Sequence, residues 1–422
     1  MPANRLLIVC TSVAILFVTS AVSDAAENWP QWRGPAANGV APGAGYPIKW
    51  SAAENVLWKY KLPGLGASTP VIWGNDIFLT CENQGKNSVL CLDRSGKERW
   101  SVSLGQEVPA KNRKASGSNP SAVTDGENVF VYFKSGELAC LSADGKIVWQ
   151  KNLQQMYGAD TLWWDLGTSP VLTKKDVVVA CMQSSGSYLA AFDKASGEPD
   201  WKQDRNLDAP GESEQSYTTP LVIDAAGGQT IVVLGADHVT GHNAATGKQL
   251  WIVGGLNPDR RQNWRSISSP VFSDGLVVAP YARGESLTAI RLGGEGNVTK
   301  SHVAWSTGGP AADVPTPVAS DGKLYVCTDH GTVAMIDIAS GNVLDEQEVQ
   351  GRRVTVSASP VLAGGHLYVT DEGGTTSVYR AGDKLELVAE NALDDFAVAT
   401  PVFADGRAYI RTDGFLWCIG EK

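Results

Sequence analysis

Aromatic and basic side chains recur together in the irregular stretches of this sequence, and they are its clearest candidates for chemistry. An Arg side chain stacks on aromatic rings and pairs with anions, and Trp and Arg are enriched at the centres of protein interfaces. The set therefore indicates a surface for a protein or peptide partner, for a flat or anionic ligand, or for a carbohydrate. The alternative is ordinary polar loops that their Trp residues pack down. The candidates are Lys111, Arg113, Trp163, Trp164, Asp165, Tyr217, Arg261, Trp264, Arg265, Arg352 and Arg353.

Motifs of the common hydrolytic and nucleotide-dependent enzymes are missing from the sequence. It contains no G-x-S-x-G, no H-E-x-x-H and no P-loop. His238 and His242 share a predicted hairpin with Asp237, but a spacing of four residues on strands does not aim two rings at one metal ion. We therefore predict no catalytic residues and no metal site.

The elements that carry the candidate residues are set by a repeat. At eight places with a nearly constant interval a Ser, Thr or Asn precedes a Pro, first every 50 residues and then at steps of 47, 43 and 41. A period of this size is typical of repeat architectures. The pairs are Thr69-Pro70, Asn119-Pro120, Ser169-Pro170, Thr219-Pro220, Ser269-Pro270, Thr316-Pro317, Ser359-Pro360 and Thr400-Pro401.

Each repeat contains short alternating apolar runs separated by turns that contain Gly, which predict antiparallel hairpins. A fourth run often follows. It begins after a turn that contains an Asp and a Gly, and it includes a Trp, as in Asp193, Gly197 and Trp201. Four short strands cannot bury their own faces, and such units arranged radially form a β-propeller. We predict an all-β, eight-bladed β-propeller with four-stranded antiparallel blades. A linear β-solenoid and the WD40 and kelch propellers fit this repeat less well.

The count of strands predicts how the ring closes. The last unit, from Pro401 to the C-terminus, has room for three strands, and an unassigned strand, Val56–Leu62, precedes the first repeat. We expect this strand to be the outer strand of the eighth blade, which ties both ends of the domain together.

Regularly placed tryptophans predict packing between blades, not function. No such Trp occurs in blades 6 and 7, and Leu344 is assigned to the position in blade 6. We expect those two interfaces to be looser. The six docking residues are Trp58, Trp100, Trp149, Trp201, Trp251 and Trp305.

The N-terminus predicts export. Arg5, an apolar run and small residues near Ala25 are typical of a Sec-type signal peptide at residues 1–25, cleaved or retained as an anchor, followed by one domain at 26–422. We expect a periplasmic or cell-envelope protein, without a transmembrane segment once the signal is removed, and a monomer. The net charge of −10 argues against nucleic-acid binding.

Six cysteines follow the signal, and all fall in predicted strands, where a free Cys is usually a small buried hydrophobe. Cys81 and Cys91 flank one hairpin, and a disulfide between them is the alternative in an oxidising compartment.

The repeat resembles the tryptophan-docking repeat of the pyrroloquinoline quinone (PQQ) propeller superfamily, from about Trp29 to Ile419. The stretch Asn28-Trp29-Pro30-Gln31-Trp32-Arg33-Gly34-Pro35, with Asn38-Gly39, is similar to the leader of a group of secreted bacterial PQQ-like propeller proteins. In this superfamily, quinoprotein dehydrogenases bind PQQ and Ca²⁺ and oxidise alcohols or sugars. The propeller lipoprotein of the outer-membrane β-barrel assembly machinery has no cofactor and acts through protein contacts.

The resemblance favours the branch that is not enzymatic. The chain is shorter than the dehydrogenases, lacks adjacent cysteines, and has no positions that match their calcium ligands. It also lacks a convincing lipobox. We therefore expect a non-catalytic binding or assembly scaffold without a cofactor, whose partner is a protein or peptide of the cell envelope. The alternatives are a PQQ- and Ca²⁺-dependent dehydrogenase and a carbohydrate-binding propeller.

Overall fold

The computed structural model describes residues 27–225, 227–349 and 354–421. The predicted signal peptide, Arg352 and Arg353 lie outside these ranges. Eight sheets surround a central channel, and each contains four antiparallel strands, of which the first in its repeat lies nearest the channel. The predicted eight-bladed β-propeller is confirmed. No helix in the described ranges is long and apolar enough to cross a membrane.

The strands follow one another in chain order around the ring. Two strands precede the first blade, β1 (Val40–Ala41) and β2 (Val56–Lys61). Blade 1 contains β3 (Val71–Trp73), β4 (Asp76–Asn83), β5 (Lys86–Asp93) and β6 (Glu98–Gln106). Blade 2 contains β7 (Val123–Thr124), β8 (Asn128–Tyr132), β9 (Glu137–Ser142) and β10 (Ile147–Asn152). Blade 3 contains β11 (Val171–Leu172), β12 (Asp176–Cys181), β13 (Tyr188–Asp193) and β14 (Pro199–Asp204).

The second half of the ring repeats this order with one insertion. Blade 4 contains β15 (Leu221–Ala225), β16 (Gly228–Gly235), β17 (His238–Asn243) and β18 (Gln249–Val253). Blade 5 contains β19 (Val271–Ser273), β20 (Leu276–Tyr281), β21 (Ser286–Arg291) and β23 (Val303–Thr307), and the inserted β22 (Gly296–Asn297) pairs with β18. Blade 6 contains β24 (Val318–Ser320), β25 (Lys323–Cys327), β26 (Thr332–Asp337) and β27 (Val343–Glu348).

The last two blades use the chain that precedes blade 1. Blade 7 contains β28 (Val361–Ala363), β29 (His366–Thr370), β30 (Thr375–Ala381) and β31 (Leu385–Ala392), and β1 pairs with β28 in parallel. Blade 8 contains β32 (Val402–Ala404), β33 (Arg407–Arg411), β34 (Phe415–Ile419) and β2. Helical segments in the described ranges include α1 (Leu153–Tyr157), α2 (Thr299–His302) and a 3₁₀ turn at Gly211–Glu214.

The predicted closure of the ring is confirmed. β2 pairs antiparallel with β34, so that Val56 lies opposite Ile419 and Trp58 lies opposite Cys418. The indole of Trp58 donates a hydrogen bond to the Arg94 carbonyl in blade 1 at 2.9 Å. The N-terminal strand therefore completes blade 8 and also fastens it to blade 1.

The regular tryptophans lie at one position of the outer strand, next to a β-bulge that recurs in each of the eight blades. Five of their indoles donate to a carbonyl of the following blade at 2.9–3.1 Å. Each of these five lies against a turn glycine of that blade, where a Cβ would come within 2.8 Å of the ring. Trp251 differs, because its indole lies across Gly241 of its own blade.

The assignment of Leu344 to the docking position in blade 6 is wrong by one residue. Leu344 is the bulged residue and is 47% exposed, whereas Asp345 pairs with Met335 at the register of the tryptophans. The Asp345 carboxylate accepts the backbone N–H of Leu385 in blade 7 at 2.8 Å. A carboxylate contact thus takes the place of the indole contact.

The cysteines are buried and free in the described chain. Cys91, Cys140 and Cys418 lie directly opposite Trp100, Trp149 and Trp58, where a small side chain leaves room for the indole. Cys81 packs in the core between blades 8 and 1, but Cys91 packs in the core between blades 1 and 2. The alternative of a Cys81–Cys91 disulfide is wrong, because the two thiols lie on opposite faces of one blade.

The residues before the prolines form a chain of hydrogen bonds around the channel. The backbone N–H of one blade donates to the hydroxyl of the next, at 2.9–3.4 Å, in seven successive bonds among the described residues. In blade 2 the hydroxyl belongs to Ser121, because Asn119 stands before the Pro. The repeated motif therefore joins neighbouring blades at the axis.

The leader segment crosses the channel and closes one end of it. Trp29 pairs with Ile72 in blade 1, and the Trp32 indole donates to Thr400 Oγ1 in blade 8 at 3.3 Å. Arg33 is 4% exposed, and its guanidinium donates to the carbonyls of Pro317 and Pro360 at 2.8 and 3.0 Å. The buried cation therefore meets the carbonyls of the repeat motif.

Candidate functional site

A cavity of about 430 Å³ opens where the loops between blades meet at the axis. Its wall contains the hydroxyl residues of the repeat motif, and Trp32 of the leader also lines it. The cavity size is within the range of ligand pockets in proteins. Of the predicted site residues, the structure places Trp164, Asp165, Tyr217 and Arg265 around this cavity.

Asp165 is a structural anchor of the cavity wall. Its carboxylate lies 2.6 Å from Lys134 Nζ, and it accepts the backbone N–H groups of Lys111 and Asn112 at 2.9–3.0 Å. The Lys111 ammonium in turn donates to the Leu162 carbonyl at 2.7 Å. These bonds hold the loop before blade 2 against the loop before blade 3, so Asp165 and Lys111 are engaged within the protein.

Trp163 and Trp164 form an exposed ridge beside the cavity, with 55% and 45% of their surfaces in solvent. Their backbone is fixed, because Trp163 N–H donates to Gln215 Oε1 at 2.8 Å and Trp164 N–H donates to the Tyr217 hydroxyl at 3.1 Å. Burial raises the pKa of Tyr217 above its usual range, so the hydroxyl stays protonated and donates to Gln215. The tryptophan ridge, defined as Trp163 and Trp164, is thus both apolar and rigid.

Glu212 joins the tryptophan ridge to the predicted arginine. Its carboxylate accepts the Trp164 indole N–H at 2.7 Å and lies 3.3 Å from Arg265 Nε. Arg265 Nη2 also lies 3.2 Å from Asp313 Oδ2. Arg283 Nη2 forms a second ion pair with the same oxygen at 3.6 Å. Desolvation raises the pKa of Asp313. Arg265 Nη1 is buried and makes no hydrogen bond to the described residues.

Other predicted residues lie away from the cavity. Arg113 is exposed, and Arg261 lies 3.7 Å from Asp259 on the surface. Trp264 lines a separate groove between blades 4 and 5 and packs edge-on against Tyr281. The predicted cluster of Trp163, Trp164, Trp264 and Arg265 is therefore divided between two surfaces.

Sequence reasoning missed several residues that build this site. Lys134 lies in the middle hairpin of blade 2, and no spacing in the sequence links it to Asp165. Lys114 follows the candidate Arg113 in the same loop, but its pairing with Glu372 of blade 7, at 2.6 Å beside the cavity, was not indicated by the sequence. Trp32 was recognisable only as part of the leader motif, and its place in the channel depends on contacts with blade 8.

The family of this chain is shown by a family model that matches most of the propeller. A family model described as outer membrane protein assembly factor BamB matches residues 40–204 and 187–352. The chain belongs to this family of PQQ-like propellers. The BamB of Yersinia pestis, an outer membrane protein assembly factor, is 23% identical over 354 residues, which cover 81% of each protein.

Solved structures of BamB and of a dehydrogenase share the fold. BamB from Moraxella catarrhalis is 16% identical with a TM-score of 0.62, over 87% of this chain and 97% of that chain. A europium-containing methanol dehydrogenase is 12% identical with a TM-score of 0.65, over 92% of this chain and 90% of that chain. These identities establish common architecture and leave function to the residues of the site.

The lining of the cavity in this BamB-family chain offers few ligands for a Ca²⁺ ion. Asp165 is the one carboxylate that lines the described cavity, and Lys134 and two backbone N–H groups already occupy it. A hard cation needs six to eight oxygen ligands, several of them charged. The described residues contain no group of three or more His, Cys, Asp or Glu that could hold a metal ion.

Proposed function

We propose that this chain is a non-catalytic binding scaffold of the cell envelope that holds a protein partner against its tryptophan ridge. The observation that carries the proposal is the exposure of Trp163 and Trp164 on a fixed backbone. A large apolar side chain that is already ordered loses little conformational freedom on binding, and Trp is the commonest type of interface hot spot.

The family supports a partner in outer-membrane protein assembly. The relatives in Yersinia pestis and Moraxella catarrhalis are BamB proteins, and BamB is an outer membrane protein assembly factor. Export through a signal peptide at residues 1–25 would bring this chain to the periplasm, where such a partner is accessible. We include this location in the proposal.

A co-purification experiment with matched variants tests the scaffold. The tagged chain, W163A/W164A and L344A are expressed in the source organism, and envelope proteins that co-purify are quantified by mass spectrometry. Leu344 is a suitable control because it is 47% exposed on the outer strand β27, far from the loops of the cavity. We expect outer-membrane assembly proteins to be depleted at least tenfold with W163A/W164A and unchanged with L344A. Equal recovery with both variants would count against the proposal.

The dehydrogenase alternative is separated by a cofactor titration. The purified chain is mixed with PQQ and Ca²⁺, and its absorbance spectrum and dye-linked oxidation of alcohols and sugars are measured. The scaffold proposal expects neither a bound quinone spectrum nor dye reduction, because the cavity lacks free carboxylates for the metal. Stoichiometric quinone binding with turnover would replace the scaffold by an enzyme.

A further inference from the structure

The wall of the cavity is rich in hydrogen-bond donors that lack acceptors in the described chain. The Thr69 hydroxyl lines the cavity and makes no hydrogen bond to a described residue, although its backbone N–H donates to Ser121. The Ser169 and Thr219 hydroxyls each accept a backbone N–H but donate to no described group. A ligand in this cavity must therefore supply acceptor oxygens.

Each charged side chain around the cavity is paired with one of opposite charge, and this favours a neutral ligand over an anion. Displacing one member of a buried ion pair leaves the other unpaired, and such a charge is costly. A neutral ligand with many oxygens accepts hydrogen bonds from the free donors and leaves the ion pairs of the cavity wall intact. The pairs are Asp165 with Lys134, Lys114 with Glu372, and Arg265 with Glu212 and Asp313.

Trp164 adds a platform beside these donors. Its indole lines the cavity and is 45% exposed, and the bond from Nε1 to Glu212 fixes the orientation of the ring. The face of an aromatic ring is negative, so it attracts the polarised C–H groups on one side of a sugar ring. Trp32 at the other end of the cavity limits how deep a ligand can reach.

We propose that the cavity binds a neutral saccharide of one or two pyranose rings. One ring stacks on Trp164, and sugar oxygens accept hydrogen bonds from the hydroxyls of Thr69, Ser169 and Thr219. The sugar comes in from the loop face, since the leader closes the opposite end of the channel. The sugar would share Trp164 with the protein partner of the proposed function, and titration of the purified chain measures sugar binding without that partner.

Calorimetric and ligand-observed NMR titrations with maltose, cellobiose and N,N′-diacetylchitobiose test this inference on the purified chain. We expect saturable binding of at least one probe. T69V should weaken it about tenfold, since it removes a donor but no hydrogen bond to a described residue. W164A should abolish it. L344A is the control and should leave it unchanged, because Leu344 lies on the outer strand β27 and does not line the cavity.

Three results would contradict the saccharide inference. Absence of saturable binding by all three probes up to tens of millimolar would overturn the inference, as would binding that T69V and W164A leave intact. Tighter binding of inorganic phosphate or PQQ than of any sugar would assign the cavity to anions instead. Circular dichroism of T69V and W164A establishes that both variants are folded.

Discussion

Lys134 Nζ lies 2.6 Å from Asp165 Oδ1, and the two side chains are only 8% and 2% exposed. Lys134 belongs to the middle hairpin of blade 2, whereas Asp165 lies in the loop that leads to blade 3. The pair therefore fixes a long loop to the rigid part of the propeller. The order of the loop face depends on this contact.

Removal of the Lys134 ammonium should destabilise the protein strongly. K134M leaves the Asp165 carboxylate buried without its cation, which should lower the free energy of unfolding by about 3–5 kcal/mol. Urea unfolding measures this change, and faster tryptic cleavage after Arg113 would locate it. K146M is the control, because the pair of Lys146 with Asp144 is on the surface and its loss should leave the free energy of unfolding nearly unchanged. Similar losses for both variants would contradict the anchoring role.

Closure of the ring by β2 should depend on Trp58. W58A removes the indole contact with Arg94 and its packing on Gly96, so we expect a loss of about 3 kcal/mol in the free energy of unfolding. L344A alters the exposed outer strand of blade 6 and should change it by less than about 0.5 kcal/mol. Guanidinium unfolding of the two variants gives the comparison. If W58A were as stable as L344A, the indole would not fasten blade 8 to blade 1.

The leader should contribute to stability through Arg33. R33M leaves two buried carbonyls, those of Pro317 and Pro360, without their donor, at a cost of about 1–3 kcal/mol for each group. We therefore expect a large decrease in Tm, measured by calorimetry. R291M, at an exposed position on β21, should leave the Tm nearly unchanged. An R33M protein with the Tm of R291M would show that the leader does not hold the channel together.

His242 should make the protein sensitive to mild acid. Burial lowers the pKa of His242 from 6.5 to about 4, so the unfolded chain takes up this proton at a higher pH than the folded chain. The neutral ring makes its full contribution to the free energy of unfolding above pH 6.5, and this contribution is lost as the pH falls towards 4. Between pH 7 and pH 5 we expect the free energy of unfolding to fall by about 2 kcal/mol because of this histidine.

Comparison with H242Q isolates this histidine from the other titrating groups. Urea unfolding at pH 7 and pH 5 should show a difference between the two pH values that is about 2 kcal/mol smaller in H242Q than in the natural protein. Identical pH dependence in both proteins would mean that His242 is protonated in the folded state or is not buried.

The local repeat was sufficient to predict the ring. Hydroxyl-Pro pairs and turn glycines set eight blades because the same short-range bonds recur in each, and Trp58 marked the closing strand. Leu344 was misplaced by one residue: Trp201 follows the turn glycine Gly197 by four positions, and the residue four positions after Gly341 is Asp345. Asp345, which makes the contact, has no resemblance to Trp.

The site was predictable only in part, because its contacts join distant segments. The place of Trp164 and Arg265 in the repeat put their loops on one face, and both residues line the cavity. The pairing of Asp165 with Lys134, and of Lys114 with Glu372, depends on loop conformations that no periodicity determines. A candidate binding residue such as Asp165 therefore proved to be an anchor within the wall.

Site-specific photo-crosslinking tests the central claim that this propeller binds a protein partner through its tryptophan ridge. A photoreactive phenylalanine replaces Trp163 in one protein and Leu344 in another, and living cells are irradiated before mass spectrometry of the crosslinked species. We expect a discrete adduct with an outer-membrane assembly protein at position 163 and none at position 344. No adduct at 163, or the same adduct at both positions, would contradict it.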